Sequence, residues 1–120
     1  MMPITLATLA QATAQEVFDQ VATHLLTQNA KSKNTVGACM YRGDGGLKCA
    51  AGCLIADDEY DPRFEGRSWY FLLMFTQIPK NHEHLIARLQ HIHDHHVPSA
   101  WKDQLANVAA RFGLDPAVLR

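Results

Sequence analysis

Two stretches of this chain combine the residue types that hold an anionic ligand. The first runs from Cys39 to Ile55 and gathers Tyr41, Arg42, Lys48, three thiols and several glycines. Cations donate to phosphate oxygens, an aromatic ring stacks on a base, and glycine lets the backbone approach closely. The stretch matches neither the P-loop nor the dinucleotide-binding glycine pattern, and its plainer counterpart is a glycine turn with solvated cations. The second is Arg63-Phe64-Glu65-Gly66-Arg67-Ser68-Trp69-Tyr70. Arginines beside aromatics suit stacking plus bidentate anion binding, and Glu65 offers an acceptor for a base edge or ribose hydroxyl. In the plainer counterpart Phe64 and Trp69 are core residues and the arginines are surface. Tyr41, Arg42, Lys48, Arg63, Arg67 and Trp69 are therefore the candidate ligand-binding residues.

Cysteine and histidine offer other chemistries. Six of the seven histidines fall between His82 and His96. On a helix His91 and His95 share a face, and Cys49 and Cys53 would do so if their segment is helical. Two His and two Cys can close a tetrahedral zinc site, although this spacing matches no familiar finger. A solvated helix face ending in cationic histidines accounts for the same residues, so no metal or cofactor is expected. Cys49 or Cys53 with His24 or His93 could form a nucleophile–base pair, but nothing local marks a nucleophile, and thiols among small apolar residues are usually core. Asp57-Asp58-Glu59 lacks the spaced ligands of a calcium loop and reads as a solvated turn.

The elements that must position these residues read as α+β: one mostly helical domain over residues 1–120, with an antiparallel β-hairpin packed against three or four helices. Thr13 and Glu16 form a capping box, and Val17, Phe18, Val21, Ala22, Leu25 and Leu26 recur at helical spacing to a helix end near Asn29. Residues 6–12 form a turn that folds Leu6 and Leu9 onto the same core. Residues 35–42 and 47–50 read as strands joined at Asp44-Gly45, with Arg42 facing Leu47, Tyr41 facing Lys48, and Cys39 and Cys49 on opposite faces. That separation predicts no Cys39–Cys49 disulfide. Residues 50–55 fit a strand or a helical turn. Ser68 can cap a short helix at 69–75, whose apolar run also fits a buried strand. A helix over 81–96 buries Leu85, Ile86, Leu89 and Ile92. The last main helix has Ser99 as N-cap and buries Trp101, Leu105, Val108, Ala109 and Phe112, with Gly113-Leu114 as its stop and one more turn at 115–119.

Composition narrows the classes of function. The chain has 120 residues, 48% hydrophobic and 19% charged, with 11 Lys+Arg against 12 Asp+Glu. These values exclude disorder and fit one domain. Near-zero net charge disfavours a duplex-DNA binder, which shows a broad basic stripe. The longest apolar run, 69–75, is far short of the ~18 residues a membrane helix needs. Met1-Met2-Pro3-Ile4-Thr5 lacks the basic-then-apolar pattern of a secretory signal, and the odd cysteine count does not suit a disulfide scaffold, so the cytoplasm is the expected compartment.

Cys39-Met40-Tyr41-Arg42, followed by 46–55 (Gly-Leu-Lys-Cys-Ala-Ala-Gly-Cys-Leu-Ile), Glu59-Tyr60, 65–69 (Glu-Gly-Arg-Ser-Trp) and Ile92-His93-Asp94, resembles small uncharacterised proteins of phages and prophages. The resemblance covers about Thr13 to Phe112. It implies a soluble accessory protein acting in the host bacterial cytoplasm, and it carries over no catalytic residue. With the two candidate stretches, it leads us to expect a non-enzymatic protein that binds or sequesters a small anionic, nucleotide-like ligand such as a defence signal. The alternatives are an inhibitor or adaptor docking on a host protein through an apolar surface, and a zinc- or cysteine-dependent enzyme. The hairpin edge and the aromatics favour a homo-oligomer.

Overall fold

The structure, a computed structural model, describes residues 3–120; Met1 and Met2 of the segment weighed as a leader lie outside the described residues. Four α-helices carry the fold: α1 (Ala14–Gln28), α2 (Trp69–Phe75), α3 (Glu83–His95) and α4 (Pro98–Arg111). Short 3₁₀ turns at Leu9–Gln11, Asp44–Gly46, Ala51–Leu54, Pro62–Phe64 and Ala117–Leu119 join and close them. No helix among the described residues is long and apolar enough to cross a membrane.

Local signals set the helix ends. The Thr13 hydroxyl accepts from Glu16 N–H and the Glu16 carboxylate accepts from Thr13 N–H, while Asn29 ends α1 in the left-handed region. The Ser68 hydroxyl accepts from Phe71 N–H at 3.1 Å, which decides 69–75 as helix rather than strand. Gly113, at φ +67°, donates to Ala110 O, and Leu114 N–H reaches Ala109 O at 2.8 Å, a Schellman stop for α4. At the other end of α4 the expected cap is displaced: Val97 is the N-cap, Pro98 opens the helix and Ser99 lies in the first turn.

The amphipathic faces meet in one core. Phe18 and Leu25 of α1, Trp69 and Leu72 of α2, Ile86, Leu89 and Ile92 of α3, and Trp101 and Leu105 of α4 are fully buried, with Leu9 and Leu54 added from the turns. Leu6, Leu26 and Phe112 pack at its margin. α1 packs against α3, α4 and the turns Ala51–Leu54 and Ala117–Leu119.

The expected hairpin does not form, so the α+β assignment is corrected to a mostly helical domain without a sheet. Among the described residues there is no strand, only isolated antiparallel bridges at Lys33–Cys39 and Arg42–Lys48. The register is shifted by one from the expected Arg42–Leu47 pair. A few backbone pairs remain, such as Met40 N–H to Ser32 O and Gly43 N–H to Leu47 O, both at 2.9 Å, and side chains take the rest. Glu65 accepts from the N–H groups of Tyr41 and Arg42, Gln28 accepts from Lys48 N–H, and the Ser32 hydroxyl, buried, sits within 2.8 Å of Met40 O and 3.1 Å of Leu47 O. Residues 34–38 close into a turn in which the Asn34 side chain accepts from Val36 and Ala38 N–H. With its polar groups satisfied this way, the segment is a side-chain-pinned loop. The strand edge on which self-association was argued is therefore absent.

Candidate functional site

Three of the six candidate binding residues line one cleft of ≈ 360 Å³ between residues 39–41, residues 66–70 and the outer side of α3. They are Tyr41, Arg67 and Trp69. Cys39, Cys49, Gln90, His91, Asp94 and His95 also face it. The volume lies in the range of small-ligand clefts, roughly 300–1,000 Å³.

The other three are committed elsewhere. The Arg42 guanidinium donates to Gly52 O at 2.9 Å and Ile55 O at 2.6 Å, pairs with Asp57 at 3.2 Å and lies over the Tyr60 ring. It ties down the carbonyls of the turn Ala51–Leu54. Lys48 pairs with the same Asp57 carboxylate at 3.6 Å. Arg63 is exposed and clasped by Asp61 at 2.7 Å; that pair holds the Asp61 carboxyl down at about 2. The expected convergence of Arg42, Lys48 and Arg63 with the cleft residues is thus corrected.

Within the cleft, Tyr41 is buried, and its hydroxyl donates to Arg67 O at 2.8 Å. Burial pushes its ionisation far above the usual tyrosine range. Trp69 is 2% exposed, and its indole N–H is buried without a hydrogen-bond partner. An orphaned donor of this kind costs about 1–3 kcal/mol. The Arg67 guanidinium lies 4.4 Å from the Phe71 ring centroid and, among the described residues, makes no hydrogen bond and no ion pair. Arg67 also borders a second hollow of ≈ 330 Å³ beside α2, shared with Arg63, Phe64 and Phe75.

Glu65, read from the sequence as a ligand acceptor, instead holds Tyr41 N–H, Arg42 N–H and the Tyr60 hydroxyl, the last at 2.6 Å. The acidic run is structural too: Glu59 accepts from Leu6, Ala7 and Ala56 N–H. Cleft residues Gln90 and Asp94 were not singled out beforehand. The i, i+4 spacing of the pair was the available signal, and Gln90 donates to Asp94 Oδ1 at 2.8 Å.

The zinc and cysteine readings meet specific obstacles. Cys49 Sγ accepts from Gly52 N–H, Cys53 Sγ–H donates to Ala50 O, and burial pushes both thiols up, Cys53 to about 12. His91 and His95 stack at 4.4 Å on the exposed side of α3. Among the described residues the ligating atoms that do converge are those of Cys39, His93 and Asp94, within 4.8 Å of one another. His93 Nε2 accepts from Ser32 N–H at 2.9 Å, so the proton sits on Nδ1 and points to Asp94 Oδ1 at 2.8 Å. Neither ring nitrogen then has a lone pair for a metal or for a thiol proton. His24 Nε2–H is held by Lys48 O at 2.9 Å. Burial and the Asp94 carboxylate push the Cys39 thiol up, opposite to what a nucleophile needs.

No family profile, curated protein or solved structure matches the chain.

Proposed function

We propose that the chain is a non-enzymatic binding protein that takes a small anionic, nucleotide-like ligand in the cleft beside α3. The observation that carries this reading is one cleft lined by Arg67, whose guanidinium lies over the Phe71 ring and makes no hydrogen bond or ion pair among the described residues, together with Tyr41, Trp69, His91 and His95. Arg67 would hold a phosphate, with His91 and His95 adding charge when protonated. Cysteines held as neutral thiols support binding rather than catalysis. The phage-like sequence blocks support a role in withdrawing a signal from the host.

Thermal unfolding in the presence of mono-, cyclic and dinucleotides tests the reading. A ligand at a hundred times its dissociation constant stabilises by ~2.7 kcal/mol, a visible shift. At least one nucleotide should raise the melting temperature of the wild-type chain but not of Arg67→Glu. No shift across the panel would overturn the reading and favour docking on a host protein through the exposed α2 residues Tyr70, Met74 and Phe75.

A further inference from the structure

The cleft does not end at His91. A hollow of ≈ 350 Å³ continues from it, bounded by Tyr70, His84, Arg88, Arg111 and Phe112. A third of ≈ 160 Å³ between α3 and α4 adds His96, Gln104 and Asn107. Arg88, His91 and Arg111 border both, and His91 borders the cleft as well. The reason is helical spacing. His84, Arg88, His91 and His95 stand at i, i+4, i+7 and i+11, one narrow stripe of α3 turned away from the buried Leu85, Ile86, Leu89 and Ile92.

Charge in the two added hollows is one-sided. No carboxylate borders either added hollow. The acids on α3 are Glu83, 3.6 Å from His84 Nε2, and Asp94, whose Oδ1 already receives Gln90 and His93. Among the described residues Arg88 and Arg111 make no hydrogen bond and no ion pair, in contrast to Arg42 and Arg63. Unpaired guanidinium groups in hollows without acids draw in phosphate. Tyr70, whose hydroxyl is tied to His84 Nδ1 at 2.9 Å, and Phe112 supply aromatic surface along the same groove.

We propose that the outer stripe of α3, with Arg111 of α4, is a track for the phosphodiester backbone of single-stranded nucleic acid. Cations following a backbone with aromatics for the bases are the two parts such a surface needs. From His84 to His95 the stripe is about 16 Å long at ~1.5 Å per residue, room for about five phosphates of a stacked strand at ~3.4 Å each. A duplex would need a broader basic face than one helix stripe on a chain of net charge −1. The proposal goes beyond the nucleotide cleft: His91 and His95 of the stripe line that cleft, but Arg88 and Arg111, the cations on which the track rests, lie outside it.

Fluorescence anisotropy with labelled dT12 tests it. The strand should bind at low salt, with log K falling against log salt at a slope of about −1.4, the value for two neutralised phosphates at about −0.7 each. Arg88→Gln with Arg111→Gln should weaken binding about tenfold and flatten the slope toward zero, with the melting temperature unchanged. Absence of dT12 binding, or binding equal in the double variant, would overturn the proposal. So would tripolyphosphate or a 12-base-pair duplex competing as well as dT12 per phosphate, since either would show a general polyanion surface. Failure of the nucleotide panel with dT12 binding intact overturns the cleft reading alone, and the reverse pattern overturns the track alone.

Discussion

His93 shows how one side chain sets several others. It is fully buried, stacks on Trp101 at 5.7 Å, accepts Ser32 N–H and donates to Asp94. Ser32 in turn pins Met40 and Leu47, so the wall of the cleft that carries Cys39 and Tyr41 hangs on this imidazole. His93→Ala leaves the buried Ser32 N–H without a partner, removes one of the two donors on Asp94 Oδ1 and opens a hole beside Trp101. A loss of about 3–5 kcal/mol in urea unfolding is expected, larger than for an exposed histidine such as His84. The tautomer is checkable directly: long-range nitrogen–proton NMR should find Nε2 of His93 unprotonated. A proton on Nε2 at neutral pH would break the chain of contacts described here.

Among the elements, the turn Ala51–Leu54 bears most on function, because it consumes a cation. Arg42 spans from Tyr41 to the carbonyls of Gly52 and Ile55, and a Cβ on Gly52 would meet Tyr41 O at 2.5 Å. Backbone packed this closely leaves the arginine no freedom to reach a ligand. Arg42→Ala should therefore cost about 2–3 kcal/mol of stability, the scale for a charged group serving buried carbonyls, and leave nucleotide and dT12 affinity unchanged. Equilibrium denaturation and anisotropy on the same variant separate the two effects. A drop in affinity without a drop in stability would return Arg42 to the binding site. Helix ends were legible in the sequence at this scale, since Thr13–Glu16, Ser68 and Gly113–Leu114 act through bonds within a few residues. Residues 30–50 were not, because their partners, Gln28, Glu65 and His93, lie up to 61 positions away.

For the whole molecule, acid sensitivity follows from where the histidines lie. Burial lowers the His24 pKa, with Lys48 and His93 opposing its charge and only the Lys48 carbonyl favouring it. A proton therefore binds the unfolded chain more readily than the folded one. That contribution to stability is complete above the ordinary value of 6.5 and is lost as pH falls below it. The urea midpoint should drop between pH 7 and pH 5, and His24→Gln, which keeps a donor toward Lys48 O, should narrow the difference. An unchanged midpoint in wild type would remove His24 as a determinant of acid stability. His91 is also lowered, by burial and then by His95, Arg88 and His96, but it is exposed and adds little to folding. Its proton matters for the groove, where a bound phosphate would favour the charged ring.

The sequence by itself determined α1, α3 and α4, the caps at Thr13–Glu16 and Gly113–Leu114, the apolar stripes that bury Phe18 and Trp101, and a set of cations, aromatics and thiols from which a site could be made. These depend on spacing and on contacts within a turn or two, which are written in consecutive residues. Only the tertiary structure decided which cations remain free. Arg42, Lys48 and Arg63 found carbonyl or carboxylate partners, while Arg67, Arg88 and Arg111, scattered along the chain, make no side-chain hydrogen bond or ion pair among the described residues and border adjoining hollows. A charge's availability depends on every group within a few ångströms of it, and those groups are brought there by folding rather than by their place in the chain.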